Sequence, residues 1–198
     1  MQLLDKLREK MGNTLKPHQV AILGLDGAGK TCLLYRLKFN SYVNTVKTVG
    51  FNWEKVRGTS GSAKGRSFCL FDAPGQEKLR ALWKTYTRKC DGILYIIDSA
   101  DADRFEESRL ELAKTARMTG SVPIIVVCNK QDLPVAKSDV EIAEIFGLKK
   151  ELGPQSQRIW ACIPGCAVTG EGVEESLSQL YDMIVQRKQQ KTGLVRKK

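Results

Sequence analysis

The chain has 198 residues, 42% hydrophobic and 27% charged, which is enough for one sizeable buried core but too short for two ordinary domains joined by a linker. Its 32 lysine and arginine residues exceed the 22 acidic residues, and the formal charge of +10 favours an anionic partner: nucleic acid, an acidic membrane surface or phosphate. No stretch approaches the roughly 18 apolar residues that cross a bilayer, and residues 1–6 lack the apolar run of a secretion signal, so we expect a soluble cytoplasmic protein.

Strands and amphipathic helices alternate in the first half of the chain. The short apolar run 18–25 predicts a buried strand, and the apolar residues of 30–39 lie on one helical face. The runs 51–57 and 66–71 predict two strands, and the polar, glycine- and serine-rich stretch 58–65 predicts the hairpin loop between them.

The second half continues this alternation. The predicted elements are strands over 92–97, 122–128 and 158–163, and helices over 103–118, 138–146 and 173–185. Two of these helices should begin at capping boxes, Asp103-x-x-Glu106 and Ser138-x-x-Glu141. The pattern indicates an α/β fold with a mostly parallel sheet and helices on both faces, in which ligands bind outside the carboxyl ends of the strands.

The loop after the first predicted strand carries a phosphate-binding motif. Residues 24–31, GLDGAGKT, match G-x-x-x-x-G-K-[ST] and lie between a strand and a helix, as the motif requires. The glycines let backbone N–H groups turn toward phosphate oxygens, Lys30 adds positive charge at the β and γ phosphates, and the Thr31 hydroxyl can bind Mg²⁺. A glycine turn that merely caps a helix is the alternative, and the strand–helix setting disfavours it.

A second motif, DAPGQEK, begins at Asp72 after the third predicted strand. Asp72 can reach the Mg²⁺ shell, Gly75 can offer its N–H to a γ-phosphate, and Gln76 can orient an attacking water. Such a sequence alone is common in turns, but here it follows a phosphate-binding loop. Between the two motifs, Thr48 is the candidate second Mg²⁺ hydroxyl, in a segment that could order around a γ-phosphate and be released after hydrolysis.

The third motif, NKQD at 129–132, directly follows the 122–128 strand. The Asp132 carboxylate can accept hydrogen bonds from guanine N1–H and N2–H₂, which adenine does not offer. After the last strand, Cys166-Ala167-Val168 can give a backbone N–H to guanine O6. These residues predict a guanine nucleotide as the ligand, and a polar turn leaving a strand is the alternative.

The six cysteines fit a reducing compartment. Four of them lie among apolar residues and are expected to be buried thiols: Cys32, Cys69, Cys90 and Cys128. Cys162 and Cys166 form a C-x₃-C pair, but no second pair stands at metal-ligand spacing, and His18 is the only histidine. A zinc site and a Ser-His-Asp triad are therefore disfavoured.

The motifs GLDGAGKT, TVGFN, DAPGQEKLR, NKQD and CAVTGEG together resemble the Arf family of small GTPases over residues 18–186. Within that family the chain is most similar to the Arf-like type 4 subgroup, through YRLKFN at 35–40, QEKLR at 76–80 and the basic end. The resemblance implies a Ras-like P-loop NTPase domain with a mostly parallel six-stranded sheet and helices on both faces. It also implies a monomeric GTP/GDP switch that acts at membranes in trafficking or signalling, with an exchange factor, a GTPase-activating protein and effectors as partners.

With this resemblance, the motifs predict a complete nucleotide site. Gln76 and Lys30 are the candidate catalytic residues, and Mg²⁺ is expected on Thr31, on Thr48 and, through water, on Asp72. The predicted nucleotide contacts are Asp26, Gly27, Ala28, Gly29, Lys30, Thr31, Cys32, Thr48, Gly75, Asn129, Lys130, Asp132, Cys166 and Ala167.

The resemblance also identifies an effector surface and two features that bear on hydrolysis. Phe51, Phe71 and Tyr86 match the family's aromatic effector triad, with Phe71 where tryptophan is usual. The family pattern WDVGGQ reads FDAPGQ here, and Pro74 fixes φ and removes an N–H, which limits the freedom of the loop. Asp26 agrees with the family and tends to crowd an arginine supplied in trans. We expect slow intrinsic hydrolysis, and the alternative is a GTP-binding recruitment scaffold with little or no hydrolysis.

The two ends of the chain lie outside the predicted GTPase domain of 18–186. Residues 1–17 predict an amphipathic helix that could lie on a membrane or dock in a groove of its own domain. Myristoylation requires glycine after the initiating methionine, and residue 2 is Gln2; an internal start at Met11 would place Lys16 where serine or threonine is preferred, so lipidation is not expected.

Residues 187–198 predict a disordered basic tail. The stretch contains no acid and six basic residues, Arg187, Lys188, Lys191, Arg196, Lys197 and Lys198. An anionic membrane is the favoured partner, because the N-terminal helix could act with the tail as a second signal. Nuclear import and a merely solvated tail are the alternatives, and a specific nucleic-acid site is disfavoured because no aromatic residues are interleaved with the charges.

Overall fold

The structure, a computed structural model, describes residues 16–45, 50, 52–153 and 158–195. Within these residues, strands alternate with helices. The strands are β1 (His18–Leu23), β2 (Asn52–Arg57), β3 (Ser67–Asp72), β4 (Gly92–Asp98), β5 (Ile124–Asn129) and β6 (Trp160–Pro164). The helices are α1 (Lys30–Phe39), α2 (Trp83–Thr87), α3 (Phe105–Thr119), α4 (Asp139–Ile145), α5 (Leu148–Leu152) and α6 (Val173–Val195).

The strands form one six-stranded sheet in the order β2-β3-β1-β4-β5-β6. β2 pairs with β3 antiparallel, and the other four pairings are parallel. β1 lies at the centre, where Ala21 is in register with Phe71 on β3 and with Ile93 on β4. The predicted fold class is confirmed, and the carboxyl ends of the parallel strands converge on one edge of the sheet.

Two hydrophobic clusters cover the two faces of the sheet. On one face, α1 and α6 contribute Leu33, Leu34, Leu37, Leu177, Leu180 and Ile184. On the other face, α2 to α5 and the turn between α4 and α5 contribute Trp83, Phe105, Leu112, Ile142, Phe146 and Leu148. β4 and β5 lie between these layers and are buried along nearly their whole length, as strands covered on both faces should be. Each buried large apolar side chain contributes roughly 1.5–3 kcal/mol to the free energy of folding, so the two layers stabilise the sheet that positions the loops at its carboxyl edge.

One of the two predicted capping boxes is confirmed and the other is wrong. At α4, the Ser138 hydroxyl accepts from the backbone N–H of Glu141, and the Glu141 carboxylate accepts from the backbone N–H of Ser138. At α3, a 3₁₀ turn over Ala102–Arg104 precedes the helix, which begins at Phe105 without a side-chain cap. Glu106 instead accepts from Arg109, one turn along the helix, at 2.6 Å.

The final helix is longer than predicted, and the expectation of a disordered tail is wrong over residues 187–195. α6 runs to Val195, and its contacts with the domain reach Lys188, beyond which the side chains of 189–192 are exposed. Lys188 pairs with Asp91 at 2.9 Å, and Asp91 also accepts from the backbone N–H of Gln19 at 2.9 Å. Residues 196–198 and the predicted N-terminal helix up to residue 15 lie outside the described residues. Within the described part of the chain, no helix is both long and apolar enough to span a membrane.

Two short helices, α2 and α5, were not predicted. Each has five residues, and so few residues show no helical periodicity. Cys32, Cys69, Cys90 and Cys128 are buried free thiols, as expected. The thiols of the C-x₃-C pair have different neighbours: the Cys162 sulfur lies 3.4 Å from that of Cys128, whereas Cys166 donates to Asp132.

Candidate functional site

The GLDGAGKT loop connects β1 to α1 through a tight backbone path. Gly24, Gly27 and Gly29 have φ angles of 139°, 79° and 93°, in the region that favours glycine. A Cβ on Gly24 would lie 2.2 Å from the carbonyl oxygen of Ile96, and one on Gly29 would lie 2.2 Å from the side-chain nitrogen of Asn129. The loop ends where α1 begins, so the first N–H groups of that helix face the space it encloses.

Lys30, the first residue of α1, is 6% exposed and donates to the carbonyl oxygen of Leu25 at 2.7 Å. Burial lowers its pKa to about 8, although the nearby carboxylates of Asp72 and Asp26 raise it. A buried ammonium group at the end of a loop of backbone donors is well placed to bind a phosphate, whose negative charge would favour the protonated form.

Asp72, at the end of β3, is fully buried beside Thr31. Its Oδ2 accepts from the Thr31 hydroxyl at 2.6 Å and from the Asn52 amide at 3.3 Å. Its Oδ1 has no hydrogen-bond partner among the described residues, and burial raises its pKa. A buried carboxylate oxygen without a donor is costly, so this pair fits a hard cation that prefers oxygen ligands, such as Mg²⁺. Thr48, the other expected ligand, lies outside the described residues.

The loop after β3 lies directly on the phosphate-binding loop. A Cβ on Gly75 would stand 2.3 Å from the backbone nitrogen of Asp26, so only glycine allows this approach. The carbonyl oxygen of Pro74 accepts from Trp83 Nε1 at 2.8 Å, and that of Gly75 accepts from Arg80 Nε at 2.7 Å. Both peptides before Gln76 are therefore held by side chains from the following turn and α2.

A group of charged residues joins this loop, the phosphate-binding loop and α3. Arg104 donates to the Asp26 carboxylate at 2.9 Å, and Glu107 accepts from Arg104 at 2.7 Å and from Arg80 at 2.5 Å. The hydrogen bond from Arg104 lowers the pKa of Glu107 to about 2, despite some opposing desolvation. Sequence reasoning missed Arg80, Arg104 and Glu107 as site residues, because nothing in their spacing connects them to Asp26.

On the other side of the site, Asn129 links the phosphate-binding loop to the loop after β6. Its side-chain amide donates to the carbonyl oxygen of Ala28 at 2.7 Å, and its Oδ1 accepts from the backbone N–H of Ala167 at 2.9 Å. Asp132 accepts from the Cys166 thiol at 3.1 Å, which brings the expected guanine-reading carboxylate beside the Cys166-Ala167 backbone.

Two other predicted contacts face the same edge. Lys130, with a left-handed φ of 69°, hydrogen-bonds to Asp98 at the end of β4. The Cys32 thiol lies 3.6 Å from the carbonyl oxygen of Ala167. Apart from Thr48, the predicted nucleotide and metal residues thus lie on the loops at the carboxyl edge of the sheet or at the start of α1.

The aromatic residues expected to bind effectors lie on a separate surface. Phe71 and Tyr86 line a cavity of about 340 Å³, together with Gln19, Thr85, Arg88 and Lys89. Trp53, which the sequence analysis did not single out, is directly opposite Phe71 on the antiparallel strand β2 and is 51% exposed. Phe51 lies outside the described residues.

A phosphate-binding loop after β1, an acidic loop after β3 and a polar loop after β5 meet at one edge of a mostly parallel sheet, and this arrangement defines a domain of the small GTPase class. The model of the ADP-ribosylation factor family matches residues 4–184, and the chain belongs to that family. The resemblance found in the motifs is confirmed. Family membership implies a GTP-binding switch that hydrolyses GTP.

Individual relatives agree with this assignment. The chain is 48% identical over 171 residues to human ADP-ribosylation factor-like protein 4A, covering 85% of this chain and 84% of that protein. It is 46% identical over 171 residues to human ADP-ribosylation factor-like protein 4C, covering 85% and 88%. The structure of the Arl6 BBS3 small GTPase from Trypanosoma brucei, with the bound nucleotide analogue GppNp, matches with a TM-score of 0.75 at 29% identity, covering 86% of this chain and 99% of that one.

Proposed function

We propose that this protein is a guanine-nucleotide switch that binds GTP and GDP with Mg²⁺, hydrolyses GTP slowly and recruits effectors at membranes. The observation that carries the proposal is the pair of Asn129 hydrogen bonds, 2.7 and 2.9 Å long, that join the phosphate-binding loop to the loop beside Asp132. Two segments that would bind opposite ends of one nucleotide are thereby held at a fixed separation, which favours a ligand with both a triphosphate and a base.

At the phosphate end, the backbone N–H groups of the GLDGAGKT loop and Lys30 would bind the β and γ phosphates. Thr31 and, through water, Asp72 would hold Mg²⁺, with Thr48 as the expected further ligand. Bound there, Mg²⁺ supplies positive charge against the charge that develops on phosphate oxygens during transfer. Gln76, which follows the fixed Pro74 and Gly75 peptides, would orient the attacking water.

At the base end, Asp132 would accept from guanine N1–H and N2–H₂, and the Ala167 backbone would donate to O6. Binding of GTP should therefore be much tighter than binding of ATP. Asp132→Asn should weaken binding of guanine nucleotides and gain affinity for xanthine nucleotides, because an amide can donate where xanthine carries a carbonyl. Equal affinity of the unaltered protein for ATP and GTP would contradict the proposal.

A second candidate function, a GTP-binding scaffold that barely hydrolyses, is favoured by the fixed loop before Gln76. Both carbonyl groups there are already bonded, to Trp83 and Arg80, and proline restricts the backbone between Ala73 and Gly75. Single-turnover hydrolysis of the unaltered protein and of Gln76→Leu separates the candidates. A clear loss of rate in the variant supports the switch, whereas equal rates remove Gln76 from the mechanism and favour the scaffold.

Membrane association is proposed to use both ends of the chain. The amphipathic segment 1–17 would supply apolar contacts, and the basic segment 187–198 would supply charge, at about 1 kcal/mol per basic residue near an anionic surface. Binding to vesicles that contain phosphatidylserine should fall when 187–198 is removed, and also when its six basic residues are replaced by glutamine. Unchanged binding would contradict this role for the tail, and loss of nuclear signal in cells after the same change would favour import instead.

Effector recruitment is proposed to use the aromatic surface with Phe71 and Tyr86, which Trp53 extends across β2. An exchange factor and a GTPase-activating protein are expected as further partners. Trp53→Ala should weaken capture of partners by the GTP-loaded protein without changing nucleotide affinity, because Trp53 lies on the sheet and not on the nucleotide loops.

A further inference from the structure

Asp26 introduces a negative charge into a loop that must bind an anion, and Arg104 holds it at two points. Arg104 Nη2 donates to the Asp26 carboxylate at 2.9 Å, and Nη1 donates to the Asp26 backbone carbonyl at 3.0 Å. The planar guanidinium group can make both bonds at once, which a lysine ammonium group cannot do with the same geometry. Arg104 therefore sets both the direction of the carboxylate and the path of the loop.

Arg104 is itself oriented by its neighbours. Its Nε donates to Glu107 at 2.7 Å, and Glu107 also accepts from Arg80. Arg80 lies 3.9 Å from Asp26, too far for a hydrogen bond, and its Nε is used by the Gly75 carbonyl. Among the described residues, Arg104 is thus the direct hydrogen-bond partner of the Asp26 carboxylate, and Glu107 fixes the orientation of the Arg104 guanidinium group.

The charge of Asp26 lies inside the phosphate-binding loop itself. Asp26 is the third residue of GLDGAGKT, four positions before Lys30, whose ammonium group would bind the phosphates. Partial burial would raise the pKa of Asp26 itself, but the hydrogen bond and charge of Arg104 outweigh it, so the pKa lies below its usual value and Asp26 is ionised at neutral pH. Without Arg104, the cationic partner left for the Asp26 carboxylate among the described residues would be Arg80, at 3.9 Å and without a hydrogen bond. More of the negative charge would then act on the phosphates, and a triphosphate would be repelled more than a diphosphate.

We propose that Arg104 is a positioning residue that sets the preference of this protein for GTP relative to GDP, by neutralising Asp26 and holding its carboxylate away from the terminal phosphate. The proposal rests on the proposed function, since it requires that GTP and GDP bind at this loop. Because one charge interaction at about 4 Å changes an equilibrium constant by roughly fivefold even when water screens it fully, the ratio of GTP to GDP affinity should fall about fivefold or more in Arg104→Gln.

The test measures equilibrium affinities for GDP and for a non-hydrolysable GTP analogue in the full chain, with ATP as the reference ligand. Arg104→Gln should lower the ratio, and Arg104→Lys should lower it less, because the charge remains but the two-point contact is lost. Arg104→Gln with Asp26→Asn should restore the ratio. Asp26→Asn alone should raise the ratio, because the arginine charge is then free to attract the terminal phosphate. Arg109→Gln is the matched control, since Arg109 lies on the same helix and pairs with Glu106 and Glu151.

The outcomes separate this proposal from the proposed function. If the unaltered protein does not prefer guanine nucleotides to ATP, the proposed function fails, and this inference fails with it. If the unaltered protein does prefer them but Arg104→Gln weakens GTP and GDP equally, Arg104 is merely structural and only this inference is overturned. The inference is also overturned if the double variant keeps the low ratio of Arg104→Gln, because the effect would then not act through Asp26.

Discussion

Replacing Asn129 with alanine would remove the link between the phosphate-binding loop and the loop beside Asp132. Asn129 is 2% exposed, and both of its partners, the carbonyl oxygen of Ala28 and the backbone N–H of Ala167, are in buried residues. Alanine can bond to neither of them. The change therefore leaves two backbone groups without a partner in a region that water does not readily enter.

The size of the effect follows from those two groups. A buried donor or acceptor that loses its partner costs about 1–3 kcal/mol, so Asn129→Ala should lower the free energy of unfolding by about 2–6 kcal/mol. That is a large share of the 5–15 kcal/mol typical of a domain. If half of this energy serves to hold the two loops at the separation a nucleotide needs, GDP should dissociate roughly fivefold to a hundredfold faster, because about 1.4 kcal/mol corresponds to a factor of ten.

Two measurements check this prediction: urea unfolding in excess GDP and Mg²⁺, and the dissociation rate of a fluorescent GDP analogue. Gln131→Ala is the matched control, because that side chain also donates to two backbone carbonyls, those of Cys128 and Lys137. Within the described part of the chain, it makes no hydrogen bond to the phosphate-binding loop or to Ala167. Gln131→Ala should leave the dissociation rate within about twofold. Equal acceleration in the two variants, or none in Asn129→Ala, would refute the reasoning that Asn129 couples the two loops.

Three further predictions concern parts of the fold around the site. Arg158 is 6% exposed and donates to the carbonyl oxygens of Ala116, Gly120 and Val122 at the end of α3, so Arg158→Met should lower the free energy of unfolding by about 3–5 kcal/mol. Arg109→Met, a change on the same helix that removes only partly exposed ion pairs with Glu106 and Glu151, should cost under about 1 kcal/mol in the same urea titration. Gly75→Ala should displace the loop after β3, since its Cβ would meet Asp26 N at 2.3 Å, and should slow single-turnover hydrolysis at least tenfold while GDP affinity changes little. The pKa of Glu107 is lowered to about 2, so the contribution of its ion pairs to stability is complete above the ordinary glutamate pKa and is lost as the pH falls toward 2. Glu107→Gln should therefore flatten the pH dependence of the urea midpoint between pH 5 and 3. Parallel curves for the variant and the unaltered protein would count against this role.

The parts of the site that lie in one continuous segment could be predicted from the sequence. The GLDGAGKT loop is an example, because its glycines, lysine and threonine act through neighbouring backbone in the same turn. The pairing of Arg104 with Asp26 joins residues 78 positions apart, and no local pattern reports it. The same pairing explains the wrong capping box, because Arg104 ends a 3₁₀ turn from which its side chain reaches the phosphate-binding loop, and a regular cap at Asp103 would begin the helix earlier.

The helical conformation of the basic end of the chain could not be predicted from its composition. Charged and polar residues without acids indicate disorder, and this composition does not reveal a partner that is distant in the sequence. Asp91, on the turn before β4, supplies that partner for Lys188, and α6 continues as a helix to Val195. Most helical stability in proteins comes from tertiary packing of one helix face, here the packing of α6 on the sheet, and not from the local composition at the helix end.

The contacts of Asp91 also determine how the molecule can be oriented. Asp91 bonds to Gln19 at the start of β1 and to Lys188 on α6, so the places where both terminal segments leave the domain lie near the amino edge of the sheet. The nucleotide loops lie at the opposite, carboxyl edge. If both segments attach to a bilayer, the domain stands upright on it with the nucleotide opening at the far pole. An exchange factor could then reach the nucleotide without detaching the protein.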